Sequence, residues 1–481
     1  MNQLHADSWI NGTSVPGGNG SIAVIDPGSG ETIGETARAS EADVDLAVEN
    51  ARTAFRASEW RSMPPHLRGR LMTDLARRVD AERDRLALLL SRENGKALST
   101  ARDEIRTVVR YFEYYSGWSD KAGGRVVPAP EDSFAYVIRE PLGVVAHVVP
   151  WNYPVDIFAR GVAPCLAVGN TVVVKPDERT PFTTLEIARL ASEVGFPPGV
   201  INVVNGIGSE VGAALAAHSG IDGLAFCGSV ATGRSVLKAA ADQLVPVVSL
   251  ELGGKSAQLV FPDADLSRAA RGAAGGICYN TGQSCGARSR LIVHESIADR
   301  MAEETAAAMA GIEVGYGPDD PGMGALASPE QLARVMGFID SARSEGAELR
   351  EGGTVAEVRG REGSYVRPTL FTNVRRKMTI AQEEVFGPVV SMLTFSSEEE
   401  AIEIANDSRY GISGEIWTPD ARLQQRAIAA LNVSHVSVNG TGGFGIELPF
   451  GGVKESGIGR EGGLEGVLQY SRTKSVWMDL R

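Results

Sequence analysis

The sequence has no run of apolar residues approaching the roughly 18 that a membrane-spanning helix needs. Its opening, MNQLHADSWINGT, has no basic segment followed by an apolar one, the pattern of an export signal. There is no basic surplus either: the net charge is −13. Without an overall positive field, neither nucleic acid nor an anionic membrane surface is an expected partner. The four cysteines (Cys165, Cys227, Cys278, Cys285) form no CxxC pair, and the six histidines are scattered. A zinc cluster is therefore not expected, and the free thiols imply a reducing, cytoplasmic compartment. No internal repeat or low-complexity segment interrupts the chain, and the glycine fingerprint GxGxxG is missing from its strand–loop–helix junctions.

What remains is a chain of 481 residues, 43% apolar and 22% charged, long enough for two or three domains with their own cores. Short strands joined by Asn-Gly and Pro-Gly turns are expected over residues 8–36. Helical spacing follows at 41–58, at 65–92 with a basic outer face (Arg68, Arg70, Arg77, Arg78, Arg83, Arg85), and at 99–118 with an aromatic end. Phe134–Ile138 alternates like a strand. From Pro141 the chain alternates apolar strands (144–149, 171–174, 200–204, 223–226, 247–250) with helices (181–194, 209–217, 231–241). Such alternation makes a parallel sheet covered on both faces, with ligands beyond the carboxyl ends of its strands. A second α/β unit is expected over 257–450. Its strands are near 257–261, 290–293, 369–371 and 389–395, and its helices near 264–281, 297–311, 329–345 and 398–407. The glycine-rich stretch 440–463 reads as loops.

The loops at the strand ends contain Pro150–Trp151–Asn152–Tyr153–Pro154, Lys175–Pro176–Asp177–Glu178, Gly206–Ile207–Gly208, Cys227–Gly228–Ser229 and Glu251–Leu252–Gly253–Gly254–Lys255. Gly206-x-Gly208 and Gly228–Ser229 let backbone amides approach a phosphate at a helix start, which favours a bound dinucleotide. Cys285, in Gly282–Gln283–Ser284–Cys285–Gly286, sits among small residues. By itself it fits a buried thiol as well as a nucleophile.

Five motifs, in order along nearly the whole chain, resemble those of the NAD(P)-dependent aldehyde dehydrogenase superfamily. They are Pro150–Pro154, Glu251–Lys255, Gly282–Cys285, Glu384–Val385–Phe386–Gly387–Pro388 and Pro449–Phe450–Gly451–Gly452–Val453–Lys454-x-Ser456–Gly457. The resemblance implies a Rossmann-like dinucleotide-binding domain, an α/β catalytic domain and a small β oligomerisation arm. It makes Cys285 the nucleophile, Asn152 and the Cys285 amide the oxyanion donors, and Glu251 the base that hydrolyses the thioester. A glutamate at 251 distinguishes the hydrolytic branch from the coenzyme A-acylating one. NAD would be held by Trp151, Lys175, Glu178, Gly208, Gly228, Ser229, Leu252, Glu384 and Phe386. A carboxylate at Glu178 would repel a 2′-phosphate and so favour NAD over NADP.

Tyr153, Ile157, Arg160 and Phe444 are expected to line the substrate pocket, which suits an apolar or aromatic aldehyde. Arg160–Gly161 stands where many members carry an aromatic residue followed by lysine. It reads either as a cation at a wide mouth, suited to an acidic semialdehyde, or as a surface arginine. The family's proton-relay glutamate aligns with Leu464, beside Glu465. A catalytically silent structural relative is the remaining alternative. The expected division is 1–120 and 142–252 for NAD, 253–452 for catalysis, and 121–141 with 467–481 for assembly into a homodimer or homotetramer.

Overall fold

The apolar segments Val144–Val148, Thr171–Lys175, Ile201–Val203, Gly223–Cys227 and Val248–Glu251 lie side by side as parallel strands of one sheet. The computed structural model of the protein describes residues 4–440 and 445–481. Successive side chains of a strand point to opposite faces. Val172 and Val174 therefore join one apolar cluster, with the helices Pro65–Ala81, Leu98–Ser116 and Pro154–Ala167, while Val173 joins another on the opposite face, with Glu41–Arg56.

The first of these strands, Val144–Val148, is central: Thr171–Lys175 lies on one side of it and Gly223–Cys227 on the other. The chain reverses its direction of travel there, so a crevice opens beyond the carboxyl ends of the Val144–Val148 and Gly223–Cys227 strands. Antiparallel strands finish the sheet. Ser8–Ile10 and Thr13–Val15 close one edge, and Gly457–Ile458 closes the other against Val248–Glu251.

The second sheet has seven strands. Thr369–Thr372, Val389–Phe395, Arg290–His294, Ala257–Val260, Ser413–Trp417 and His435–Val438 run parallel, and Glu348–Glu351 is antiparallel at one edge. A third sheet pairs Arg125–Val127 and Ser471–Asp479 with opposite sides of Ser133–Pro141.

Local structure departs from the sequence pattern at a few places. The helical stretch 65–92 breaks at Glu82, whose backbone sits at φ −101°, ψ 8° between Pro65–Ala81 and Arg83–Asn94. Its carboxylate is held by Arg78 and Arg85 at 2.6 and 2.7 Å, and the bend lets both helices turn apolar faces inward. Arg68 is not on a basic outer face: it is buried and donates to the Met63 carbonyl at 3.0 Å. The helix expected at 209–217 opens as a wide turn, Gly208–Gly212, before Ala213–Ala216. The region 440–463 supplies two short strands, Val453–Lys454 and Gly457–Ile458. The terminal strand starts at Ser471, because residues 463–469 form a helix.

The helical layer also fixes the loop at 150–154. Lys96 follows the left-handed Gly95 (φ 91°) that ends Arg83–Asn94. Its ammonium pairs with Glu104 of Leu98–Ser116 and donates to the Asn152 carbonyl at 2.9 Å. The other Glu104 oxygen accepts the amides of Val155 and Asp156, both at 3.1 Å, which caps the first turn of Pro154–Ala167. Both charges are buried. Lys96→Met would leave the Glu104 carboxylate without its counter-charge, at a cost of about 3–5 kcal/mol. A urea titration of the variant checks this, and an unchanged midpoint would mean that the pair does not hold the loop.

Candidate active site

Cys285 reaches its position through an unusual backbone path. The helix Leu266–Cys278 ends, and Asn280, Thr281 and Gly282 then take left-handed conformations with φ of 50°, 56° and 71°. For a β-branched threonine this is strained, so the surrounding contacts must over-determine it. They do. Asn280 donates to the carbonyls of Asn152 (2.9 Å) and Gln283 (3.2 Å), and Gln283 accepts the amide of Ala327 at 2.9 Å. Gly282 lies against the backbone of Gly387, and Gly254 against the carbonyl of Cys285. A methyl group at either glycine would collide with those atoms. Three of the five motifs thus meet as bare backbone.

Asn152 is buried, and its amide nitrogen points toward the same loop, donating to the Gln283 carbonyl at 3.1 Å. Glu251 ends the strand Val248–Glu251, directly opposite Cys227 in the sheet register. Neither of its carboxylate oxygens has a hydrogen-bond partner among the described residues. Burial holds its pKa well above the usual carboxylate range; Glu461 raises it further, while Arg160 and Arg460 oppose the rise. The Cys285 thiol is pushed up to about 12, first by burial. Arg160 and the Gly286 amide lower it, and Glu251 and Glu384 raise it. Burial thus disfavours the ionised form of both the Cys285 thiol and the Glu251 carboxyl. The thiol does not rest as the partly activated group that its role suggests, because its cavity excludes water more effectively than its neighbours supply positive charge.

The crevice of the first sheet opens beside this centre as a cleft of about 680 Å³, lined by Pro150, Trp151, Lys175, Gly208, Cys227, Gly228 and Ser229 among others. Its polar groups fit a dinucleotide. Ser229 begins the helix Val230–Asp242, accepting the Thr232 amide at 3.2 Å, so the free amides of that helix start face the cleft. Gly208 borders Lys175 and Glu178, which form a 2.8 Å ion pair at the cleft wall. The Trp151 ring packs edge-on against Phe386, centroids 5.4 Å apart. Leu252 is buried against Gly233. Glu384 accepts the Gly254 amide at 2.8 Å, and burial pushes its carboxyl up to about 7.

The structure brings Tyr153 to the Cys285 loop as well, with its hydroxyl on Ser284 and its ring under the Lys96 ammonium at 4.6 Å. Ile157 is buried on the same helix face. Phe444 lies outside the described residues. Arg160 matches neither reading of it from sequence. It is buried, not on the surface, and its cation is already engaged: Nε pairs with Glu461 Oε2 at 2.6 Å, and the guanidinium lies over Phe450 at 4.6 Å. The position suggested for a relay glutamate is also corrected. Leu464 is exposed at 41% and Glu465 is exposed beside it, whereas Glu461 is buried and in electrostatic reach of Glu251. Sequence reading missed Glu461 because the antiparallel pairing of Glu251 with Gly457, which brings the segment back over Glu251, is a tertiary event. It also missed Arg179, whose guanidinium lies 5.0 Å over the Trp151 ring.

The family model that describes the aldehyde dehydrogenase family matches residues 14–476. An aldehyde dehydrogenase of Davidiella tassiana is 41% identical over 470 residues, 97% of this chain and 94% of that protein. Human retinal dehydrogenase 2 is 40% identical over 457 residues, covering 94% of this chain and 88% of its own. Among solved structures, the NAD+ complex of an aldehyde dehydrogenase from Bacillus cereus superposes with a TM-score of 0.97 at 38% identity, covering 99% of this chain and 97% of that one.

A thiol at about 12 has a thiolate fraction near ~10⁻⁴ at pH 8. Alkylation of Cys285 by iodoacetamide in the ligand-free protein should therefore rise about tenfold per pH unit from 7 to 10, followed by peptide mass spectrometry. A plateau reached below pH 9 would show a thiol much more acidic than its surroundings imply.

Proposed function

The chain belongs to the aldehyde dehydrogenase family, and we propose that it oxidises an aldehyde to the free carboxylic acid with reduction of NAD, using Cys285 as nucleophile, Asn152 as oxyanion donor and Glu251 as hydrolytic base. The observation that carries this reading is the convergence of those three side chains, from three separate elements, at the inner end of the dinucleotide cleft. The Cys285 sulfur forms a bond to the aldehyde carbonyl carbon as its proton is released to solvent, which leaves the ionised Glu251 free for the later step. The oxyanion is met by the Asn152 amide and the Cys285 backbone amide. A donor of this kind is worth about 2.7–4 kcal/mol in a comparable site. When bound, NAD supplies the acceptor for the hydride lost from that carbon, which leaves a thioester on Cys285. Water then adds to the thioester carbonyl, Glu251 takes its proton, and the carbon–sulfur bond breaks to release the acid and restore the cysteine.

Trp151, Lys175, Glu178, Gly208, Gly228, Ser229, Leu252, Glu384 and Phe386 are assigned to the cofactor. Glu178, paired with Lys175 at the cleft wall, supports NAD over NADP, since a carboxylate there accepts ribose hydroxyls and repels a 2′-phosphate. The engagement of Arg160 by Glu461 weighs against an acidic semialdehyde that would need a free cation. Tyr153 and Ile157 favour an apolar or aromatic substrate.

The domain division is proposed as 1–120 with 142–252 for the cofactor and 253–452 for catalysis. Assembly into a homodimer or homotetramer is assigned to 121–141 and 467–481. Val126, Phe134, Trp477 and Met478 expose apolar surface on that sheet, which supports the last assignment. Among the described residues no helix is long and apolar enough to cross a membrane. The four unpaired cysteines support a cytoplasmic location.

Cys285→Ala should abolish NADH formation across a panel of aliphatic, aromatic and acidic aldehydes while NAD still binds. Wild-type protein silent on the whole panel would favour a non-catalytic relative. A requirement for coenzyme A would favour the acylating branch. Glu178→Gln should narrow the preference for NAD over NADP by about tenfold, read as the ratio of kcat/KM values; an unchanged ratio would remove Glu178 from the account of cofactor choice.

A further inference from the structure

Glu251 and Glu461 present two carboxyl groups to the same buried space behind Cys285. The second arrives through the loop that follows Phe450. Phe450 and Glu461 exchange backbone hydrogen bonds of 2.6 and 2.8 Å, Gly457 pairs with Glu251, and a methyl at Gly451 would lie 2.9 Å from Glu251 Oε1. Two carboxylates cannot both be ionised in such a space unless a cation lies with them.

Arg160 is placed to be that cation. It projects from the helix Pro154–Ala167, the helix that carries Tyr153 and Ile157 to the pocket. One nitrogen, Nε, is committed to Glu461 at 2.6 Å, and the flat face of the guanidinium is supported by the Phe450 ring. A second nitrogen, Nη2, is buried and has no hydrogen-bond partner among the described residues. A lysine could supply the charge but not the planar support. Gly161, the next residue, packs against His147, where a Cβ would meet Nδ1 at 2.6 Å.

We propose that Arg160 is a positioning residue for thioester hydrolysis: it pins the Glu461 carboxylate and compensates the negative charge that Glu251 must carry before it can serve as base. The proposal rests on the reading of Glu251 as that base. The groups that face this centre are consistent with it. Glu251 is influenced by Glu461, Arg160 and Arg460, and in turn acts on Cys285 and Cys227. Arg160 is influenced by Glu461, Tyr111, Asp156 and Glu251, and Asp156 in turn feels Glu104 and Lys96. Arg160 acts to lower Glu251 and Glu461 acts to raise it. Glu251 is raised overall, so its base form is lost as pH falls. Removal of Arg160 must move that loss to higher pH, and removal of the Glu461 charge must move it to lower pH.

The test follows the decay of the acyl-enzyme, trapped by acid quench and read by intact mass, as a function of pH. The full-length protein is used with NAD and a turned-over aldehyde. Arg160→Gln keeps the volume and a hydrogen bond to Glu461 but removes the charge. It is expected to shift the acid limb of the decay rate upward by a pH unit or more, about tenfold slower on the limb and within threefold on the alkaline plateau. Arg160→Lys should recover most of the shift, and Glu461→Gln should shift the limb the other way. The opposed signs separate charge compensation from mere loss of packing, which would slow both variants at every pH. An Arg160→Gln limb that coincides with wild type, or Arg160→Gln and Glu461→Gln limbs that move together, would overturn the proposal. If Arg160→Gln does not accumulate as folded protein, the Glu461→Gln shift decides alone. Decay in Glu251→Gln at the wild-type rate would instead remove the hydrolytic reading underneath.

Discussion

The site depends on one steric constraint: the loop that carries Cys285 is wedged between two stretches of backbone with no space for a single methyl group. Gly254 touches the Cys285 carbonyl, and Gly282 touches the backbone at Gly387. Gly254 follows Glu251 by three residues and Gly387 follows Glu384 by three, so the same contacts that position the thiol also position those two carboxyl groups. The left-handed run Asn280–Thr281–Gly282 is the conformational cost of this docking. It is met by hydrogen bonds that Asn280 donates to the Asn152 and Gln283 carbonyls and that the Gln283 side chain accepts from the Ala327 amide.

Around that wedge the charges are paired in layers. Lys96 and Glu104 fix the Asn152 loop from the helical side, and Arg160 with Glu461 closes the space behind Glu251. Glu251 and Cys285 themselves are left outside these pairs: the Glu251 carboxyl has no hydrogen bond among the described residues, and burial raises the Cys285 thiol. A buried carboxyl and a buried thiol, whose ionised forms desolvation disfavours, meet a substrate without first shedding a hydration shell. The surrounding ion pairs hold the segments that carry those two groups.

Much of this was legible along the chain. The five parallel strands of the first sheet announce themselves as short apolar runs, since a strand buried on both faces has no polar side to alternate with. The motifs around Asn152, Glu251, Cys285 and Glu384 were legible for a different reason: each packs several special requirements into five residues, and such demands on backbone and side chain leave few substitutes. Arg160 and Glu461 were misread because neither stands in a motif that fixes its partner. An arginine one position from an expected lysine reads equally as pocket or surface. Only the return of residues 450–461 over Glu251 makes it the partner of Glu461. The bend at Glu82 escaped notice because no proline or glycine marks it.

By itself, then, the sequence determined the element types and the parallel α/β architecture, because these rest on local periodicity, and its motifs carried the resemblance from which the roles proposed for Cys285, Glu251 and Asn152 follow. The tertiary structure decided the protonation of the thiol, the partner of Arg160, the acid that faces Glu251 and the absence of room at Gly254 and Gly282. These are properties of distance and burial between segments up to some 300 residues apart, such as Arg160 and Glu461. Burial and Coulomb energy depend on where atoms lie in space, and no spacing along the chain encodes that.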